Sequence, residues 1–288
     1  MKVQLNHPGG QKPFKLGNGY FKNGNDIIRE WNKDRSHYRK FIVNQGYYLN
    51  NLNDFQPKQE NLYFWGEWEG NSFFIPLKNE NYSIRPNGIH KPFHSIENRD
   101  HQNTDPYIFG EYFKYCVCKQ IGKMQDLPLK NSVILFGSTF PKLGKFYIDT
   151  VFVVKGFENS SKVIENNAAN YSKIYREATL EQLTQYLKPP TITNNNKIYH
   201  SQTWWDNKDF FSFVPCKINE EDNGFERLYI ELDNQKFGLS SYQSGKSFLP
   251  KCNLSPKELW LEVAEEALKQ NFKLGIRFDE PKLFNMNT

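Results

Sequence analysis

Long hydrophobic runs are absent from this chain: no window of about 18 residues is continuously apolar, which excludes a membrane-spanning helix. Cysteine is scarce, with four in 288 residues at irregular positions. No disulfide framework is implied, so a reducing, cytoplasmic compartment is expected. The opening residues, MKVQLNHPGGQKPF, lack the apolar centre of a secretion signal. No internal repeat is present. The GxxxxGK[ST] phosphate loop is also missing, and Gly245-Lys246-Ser247 matches only its tail. A large excess of one charge is lacking too. The formal net charge of +5 permits contact with a polyanion without demanding it.

Apolar residues are few, at 38%, but 16% of the chain is aromatic. Large rings can build a core that aliphatic side chains alone would not fill. Strand patterns dominate. Residues 62–69 and 72–77 alternate around Gly70-Asn71 and read as a hairpin. Residues 107–119, 132–137 and 146–154 read as strands, the last (FYIDTVFVV) being almost wholly β-branched or aromatic. Two further strands are expected at 210–215 and 226–232, and a final one at 272–278. Helices are expected at 24–44, with Ile27, Ile28, Trp31, Tyr38 and Phe41 as its stripe, and at 168–187, before Pro189-Pro190. The strongest helix signal is Ser255-Pro256-Lys257-Glu258, which places Ser at the N-cap, Pro at N1 and Glu at N3. These elements predict an α+β fold, a strongly curved mixed sheet or small β-barrel core with flanking helices. Residues 1–60 read as an N-terminal extension with one helix, and 61–288 as a single domain.

Residues 85–120 stand out. Three of the six histidines, His90, His94 and His101, lie there beside Arg85, Arg99, Asp100 and Asp105, just before a strand-like run. Polar groups of mixed sign at a strand entrance suit acid–base work or recognition, since histidine titrates near neutral pH. His90 and His94 have the i, i+4 spacing of helical metal ligands, but Pro92 between them argues against a helix, and no recognised ligand spacing appears. No metal site and no cofactor are assigned. Lys119 and Gln120 would leave the following strand at its end and face a ligand. Cys116 and Cys118 share a strand face and read as buried cysteines rather than a redox pair.

Asp149, inside FYIDTVFVV, is open between an ion pair with an arginine and an active-site carboxylate. Ser138 sits on a Gly-Ser-Thr turn whose backbone could hold an anion. Trp65, Trp68, Trp204 and Trp205 are candidates for stacking on a base, against the alternative of core packing; in the Trp204-Trp205 pair, one ring is expected inside and the other free.

The order PNGIHKPFHS, RDHQNTDPYIFGEYFKYCVCKQ, VILFGS and FYIDTVFVV, followed by GFERLYI and NFKLGIRF, resembles the nucleotide-modification-associated domains of bacteria and phages. That resemblance, spanning most of 62–278, implies a role in DNA base hypermodification. It carries over no catalytic residue. A fainter resemblance, through the VILFGS strand, is to PUA and EVE barrels, which read modified bases. The resulting expectation is a nucleic-acid partner, DNA ahead of RNA, and no membrane. A base would enter a pocket walled by the histidine stretch. His90, His94 or His101 would supply acid–base chemistry, Asp105 or Asp149 would assist, and Arg85 and Arg99 would hold phosphate. The alternatives are a non-catalytic reader of modified bases and a nucleotide-using transferase.

Overall fold

The computed structural model describes residues 1–7, 9, 13–30, 38–79, 84–95, 104–116, 130–159, 168–180, 197–219, 224–243 and 245–284. The protein is mostly β, with 44% of it in strands and 13% in helices. In chain order the strands are β1 (Lys2–Asn6), β2 (Tyr20–Asn23), β3 (Asp26–Arg29), β4 (Lys40–Leu49), β5 (Lys58–Gly66), β6 (Ser72–Pro76), β7 (Gly88–His94) and β8 (Lys114–Tyr115). They continue with β9 (Val133–Phe140), β10 (Lys145–Asn159), β11 (Lys197–Ser201), β12 (Val214–Lys217), β13 (Leu228–Glu231), β14 (Gly245–Phe248), β15 (Lys273–Phe278) and β16 (Lys282–Leu283).

Two sheets result. The first runs β14-β1-β9-β10-β11-β8, with β13 also paired to β10. The second runs β15-β12-β5-β4-β7-β6-β3-β2, and a further β15–β4 pairing closes β4, β5, β12 and β15 into a four-stranded barrel. Closure removes the open edges that a free sheet would expose. The expected curved sheet or small barrel is therefore present, whereas helices contribute little.

The first 60 residues are woven into both sheets: β1 pairs with β9 and β14, and β4 with β5, β7 and β15. The helix expected over 24–44 is a correction. Its described residues are strands, with Asn23 opposite Asp26 across a tight turn at Gly24, whose φ is +59°. A two-residue Gly-Asn connection between apolar runs, here Gly24-Asn25, is a hairpin signal, and it overrides the apparent helical stripe. The hairpin of 62–69 with 72–77 is a second correction. β5 pairs instead with β4, from Lys40↔Gly66 to Tyr48↔Lys58, and β6 pairs with β7 and β3. The reason lies in Glu67 and Glu69, which are buried by ion pairs to Arg39 and Lys40 and so cannot form a solvent-facing turn.

Of the strand expected over 107–119, the described part, 107–116, contains only the short strand β8. Tyr107 and Lys114 instead bond each other's backbones at 2.8 Å both ways, folding the segment back on itself around Gly110 (φ +88°). Of the helix expected over 168–187, the described part is irregular. A 3₁₀ turn, Ala168–Asn170, precedes an α turn, Lys173–Tyr175, capped by Ser172, and a π turn, Arg176–Leu180.

β10 is the longest strand, and its neighbour β9 carries the VILFGST run. Between them the register shifts: Ile148 faces Gly137 and Thr150 faces Phe136, leaving Asp149 as the extra residue of a bulge. Gly137 is required there, because a Cβ on it would stand 2.0 Å from the Tyr147 carbonyl oxygen. Gly137→Ala is expected to cost about 1–3 kcal/mol through overpacking, measured by urea unfolding. A loss below about 0.5 kcal/mol would show that the two strands part without strain.

The C-terminal helix α1 (Pro256–Lys269) carries the expected capping box: Ser255 Oγ accepts from the Glu258 N–H, and the Glu258 carboxylate accepts from the Ser255 N–H. It buries Leu259, Trp260, Val263, Ala264 and Ala267, and Trp260 Nε1 donates to the Phe211 carbonyl at 2.6 Å. Among the described residues, no helix is long and apolar enough to cross a membrane.

Candidate functional site

Polar groups buried in this fold fall into two kinds, those that tie the sheets together and those that border open space. The first kind includes a four-charge cluster between the sheets. Asp149, turned inward at the bulge, meets Arg227 at 2.7 Å and Arg39 at 2.8 Å, and Arg39 meets Glu67 at 2.7 Å. Arg227 also donates to Ser138 Oγ at 3.0 Å, and its guanidinium lies 5.6 Å from the ring centres of Trp65 and Tyr147. Burial holds the Asp149 carboxyl above its ordinary range, against the pull of Arg227 and Arg39. A second cluster joins Lys40 to Glu69 at 3.1 Å and Arg29 to Glu69 at 3.7 Å. Burial lowers Lys40 to about 8. All these side chains are closed off from solvent.

The second kind lies where the 107–114 loop, the 170–172 turn and the end of β15 converge. They enclose a cleft of about 440 Å³, bordered among others by Tyr112, Lys114, Tyr171, Ser172, Arg277 and Glu280. That volume lies in the range of small-molecule sites. Lys114 forms part of its wall, with its ammonium 4.3 Å from the ring centre of Tyr112, 5.0 Å from Tyr175 and 5.4 Å from Tyr107. Its Nζ donates to the Tyr112 carbonyl at 3.2 Å, and among the described residues no carboxylate lies within ion-pair distance. Burial lowers Lys114 to about 8, with Glu280 and Glu111 opposing the shift. An amine in that range can lose and regain a proton near neutral pH.

Around it stand further acid–base groups. Glu280 accepts from the Tyr107 hydroxyl at 3.1 Å and from the Ser172 hydroxyl. The Tyr171 hydroxyl lies 3.0 Å from His200 Nε2 and 3.3 Å from Glu158 Oε1. His200 faces Lys114 across the β8–β11 pairing, and burial lowers its pKa despite Glu158, which favours the neutral ring. Burial also pushes the Tyr171 phenol up. Arg277 borders the cleft with its guanidinium 5.6 Å from the ring centre of Tyr47 and 5.9 Å from that of Trp205.

The residues singled out in the sequence are dispersed. His90 and His94 both lie buried on β7, and neither borders the cleft. His90 Nδ1 is 2.9 Å from Ser72 Oγ, and burial with Arg29 and Lys40 nearby drives its pKa well down. His94 Nε2 is 2.6 Å from Glu177. Asp105 is buried and accepts the Cys116 N–H at 3.0 Å. Arg85 is exposed before β7. Of the two roles left open for Asp149, it has the arginine pairing, and Ser138 serves the same cluster. Trp65 and Trp68 are core rings whose indole N–H groups donate to the Phe225 and Asn71 carbonyls. Trp204 is buried at 4% exposure while Trp205 is 48% exposed, so one ring of the pair is free. His101, Arg99, Lys119 and Gln120 lie outside the described residues, as does Cys118.

The stretch 85–120 nevertheless contributes Gly110, Glu111, Tyr112 and Lys114 to the cleft. The signal missed was the lysine in FGEYFKYC, a charge enclosed by aromatic residues that has to be paired, neutral or functional. Arg277 and Glu280, remote in sequence, gave no comparable sign. No family model matches this chain, and no curated protein or solved structure matches it either.

Proposed function

We propose that this protein modifies a base or nucleotide of nucleic acid, DNA ahead of RNA, and that the chemistry takes place in the cleft at Lys114. The observation that carries the reading is Lys114 itself: a buried ammonium without a carboxylate partner among the described residues, set in the wall of an open cleft. A structural lysine of this fold looks different, as Lys40 does with Glu69 beside it. Lys114 would take a proton from the substrate, and Tyr171 on the same wall, hydrogen-bonded to His200, would supply or accept one.

The nucleic-acid part of the proposal rests on the resemblance in motif order. It is supported by a cleft of suitable size with tyrosine walls and by the exposed Trp205 beside Arg277. A PUA- or EVE-like identity for the barrel of β4, β5, β12 and β15 belongs to the same proposal. A reader without chemistry would need several free rings, and three of the four tryptophans considered for stacking are buried.

The test is mass spectrometry of nucleosides from cells lacking the gene, carrying it, or carrying Lys114→Met. One nucleoside should change with the wild-type gene and not with the variant. An unchanged nucleoside profile, with no binding of DNA or RNA at low salt, would remove the proposal.

A further inference from the structure

We propose that Arg277 is the phosphate-binding group of the cleft, holding the phosphate of a nucleotide beside Tyr47 and Trp205. This rests on the function proposed above and adds which end of the ligand lies where.

Among the described residues, the fully buried arginines are each matched to carboxylates: Arg29 to Glu69, Arg39 to Glu67 and Asp149, and Arg227 to Asp149. Arg277, half-buried on β15, has no such match. Its side chain makes no hydrogen bond or ion pair with the described residues, and its Nε is buried; Arg176 also has a buried Nε without a partner, but it does not border the cleft. A guanidinium has five N–H donors in a fixed fork, and leaving a buried one unpaired is unfavourable unless something else accepts from it. Tyr47 and Trp205 lie close enough to brace the group by ring contacts, but a ring face is a poor acceptor beside an anion. The cleft is the open space that Arg277 borders. Phosphate matches the guanidinium fork in both charge and spacing.

The remaining charges of the cleft favour a nucleotide over a bare anion. Glu111, Asp279 and Glu280 also border it, and alone they would repel inorganic phosphate. A nucleotide separates its charge from its base, so carboxylates can accept from base amino groups while the phosphate lies at Arg277. Trp205, 48% exposed and next to Arg277, offers a face for stacking. A phosphomonoester of a free nucleotide and a phosphodiester of a polynucleotide share this chemistry.

The experiment titrates the full chain at low salt with deoxynucleosides, deoxynucleoside 5′-monophosphates and a short single-stranded oligodeoxynucleotide. The phosphate-bearing ligands should bind about tenfold or more tighter than the nucleosides, and Arg277→Gln should erase that difference. Tighter binding of the monophosphate identifies a free nucleotide as the source, and tighter binding of the oligonucleotide identifies a strand. Thermal unfolding checks that the variant is folded. If it is not, Arg277→Lys takes its place and should weaken phosphate-dependent binding while retaining part of it. Equal binding of nucleosides and nucleotides by the wild type, or an undiminished phosphate preference in Arg277→Gln, would overturn the assignment and leave the proposed function standing. Binding of none of the three ligands would remove both.

Discussion

Replacing Asp149 by alanine is expected to lower the unfolding free energy by about 3–5 kcal/mol, among the largest losses a single substitution here should cause. The reason is charge balance inside the core. Arg39 and Arg227 are each about 2% exposed or less, and in the wild type Glu67 and Asp149 offset them one for one. Without Asp149, two guanidiniums share one carboxylate, and Arg227 keeps only Ser138 as a hydrogen-bond partner. The cluster also spans the molecule. Arg39 and Glu67 flank β4 and β5 of one sheet, whereas Asp149 lies on β10 and Arg227 precedes β13 of the other. The loss should therefore appear as cooperative unfolding at lower urea, not as local fraying. Asp149→Leu combined with Arg227→Met should be more stable than Asp149→Leu alone, because Arg39 and Glu67 then remain a balanced pair. If Asp149→Ala unfolds within about 1 kcal/mol of the wild type, the cluster does not hold the sheets together.

What could be read without coordinates followed the range of each interaction. The capping box at Ser255 and the strand FYIDTVFVV involve neighbours within a few residues, and both stand where they were expected. The β2–β3 hairpin was local as well, but its Gly24-Asn25 turn was outweighed by a stripe of apolar residues that fits helix and strand alike. The closed barrel depends on β15 meeting β4 across more than two hundred residues, and no local pattern encodes such a pairing. The site divides in the same way. Residues 85–120 do reach the cleft, through Tyr112 and Lys114 among others. The histidines drew attention as titratable groups, yet His90 and His94 lie on the same face of a strand that is buried except at Lys91. Periodicity alone cannot tell a buried polar face from an exposed one. Asp149 showed the limit most clearly: its arginine partners come from residues 39 and 227, and the bulge that turns it toward them exists only once β9 and β10 are paired.

Replacing Lys114 by methionine is expected to lower turnover in the nucleoside-modification assay by about 10²–10⁴-fold, the span of a lost acid–base group. Methionine preserves much of the stem's packing against Tyr107, Tyr112 and Tyr175 while removing the amine. The pH dependence separates this from a merely structural effect. Because burial lowers Lys114 to about 8, wild-type activity should rise with pH through that value as the amine becomes a free base. Lys114→Arg, charged at every accessible pH, should show no such limb. Stability changes in the same window. Below about pH 8 both folded and unfolded chains hold the proton, and the cost of the buried ammonium is fully present. Between about 8 and the ordinary lysine value of 10.5, the unfolded chain binds more protons than the folded one, so stability rises with pH. Lys40, also lowered to about 8, adds a slope of the same sign. Lys114→Met should therefore reduce this slope without abolishing it, whereas only Lys114 should affect the activity profile. A wild-type activity profile that stays flat through pH 8, or a Lys114→Met protein with undiminished turnover, would remove this amine from the chemistry.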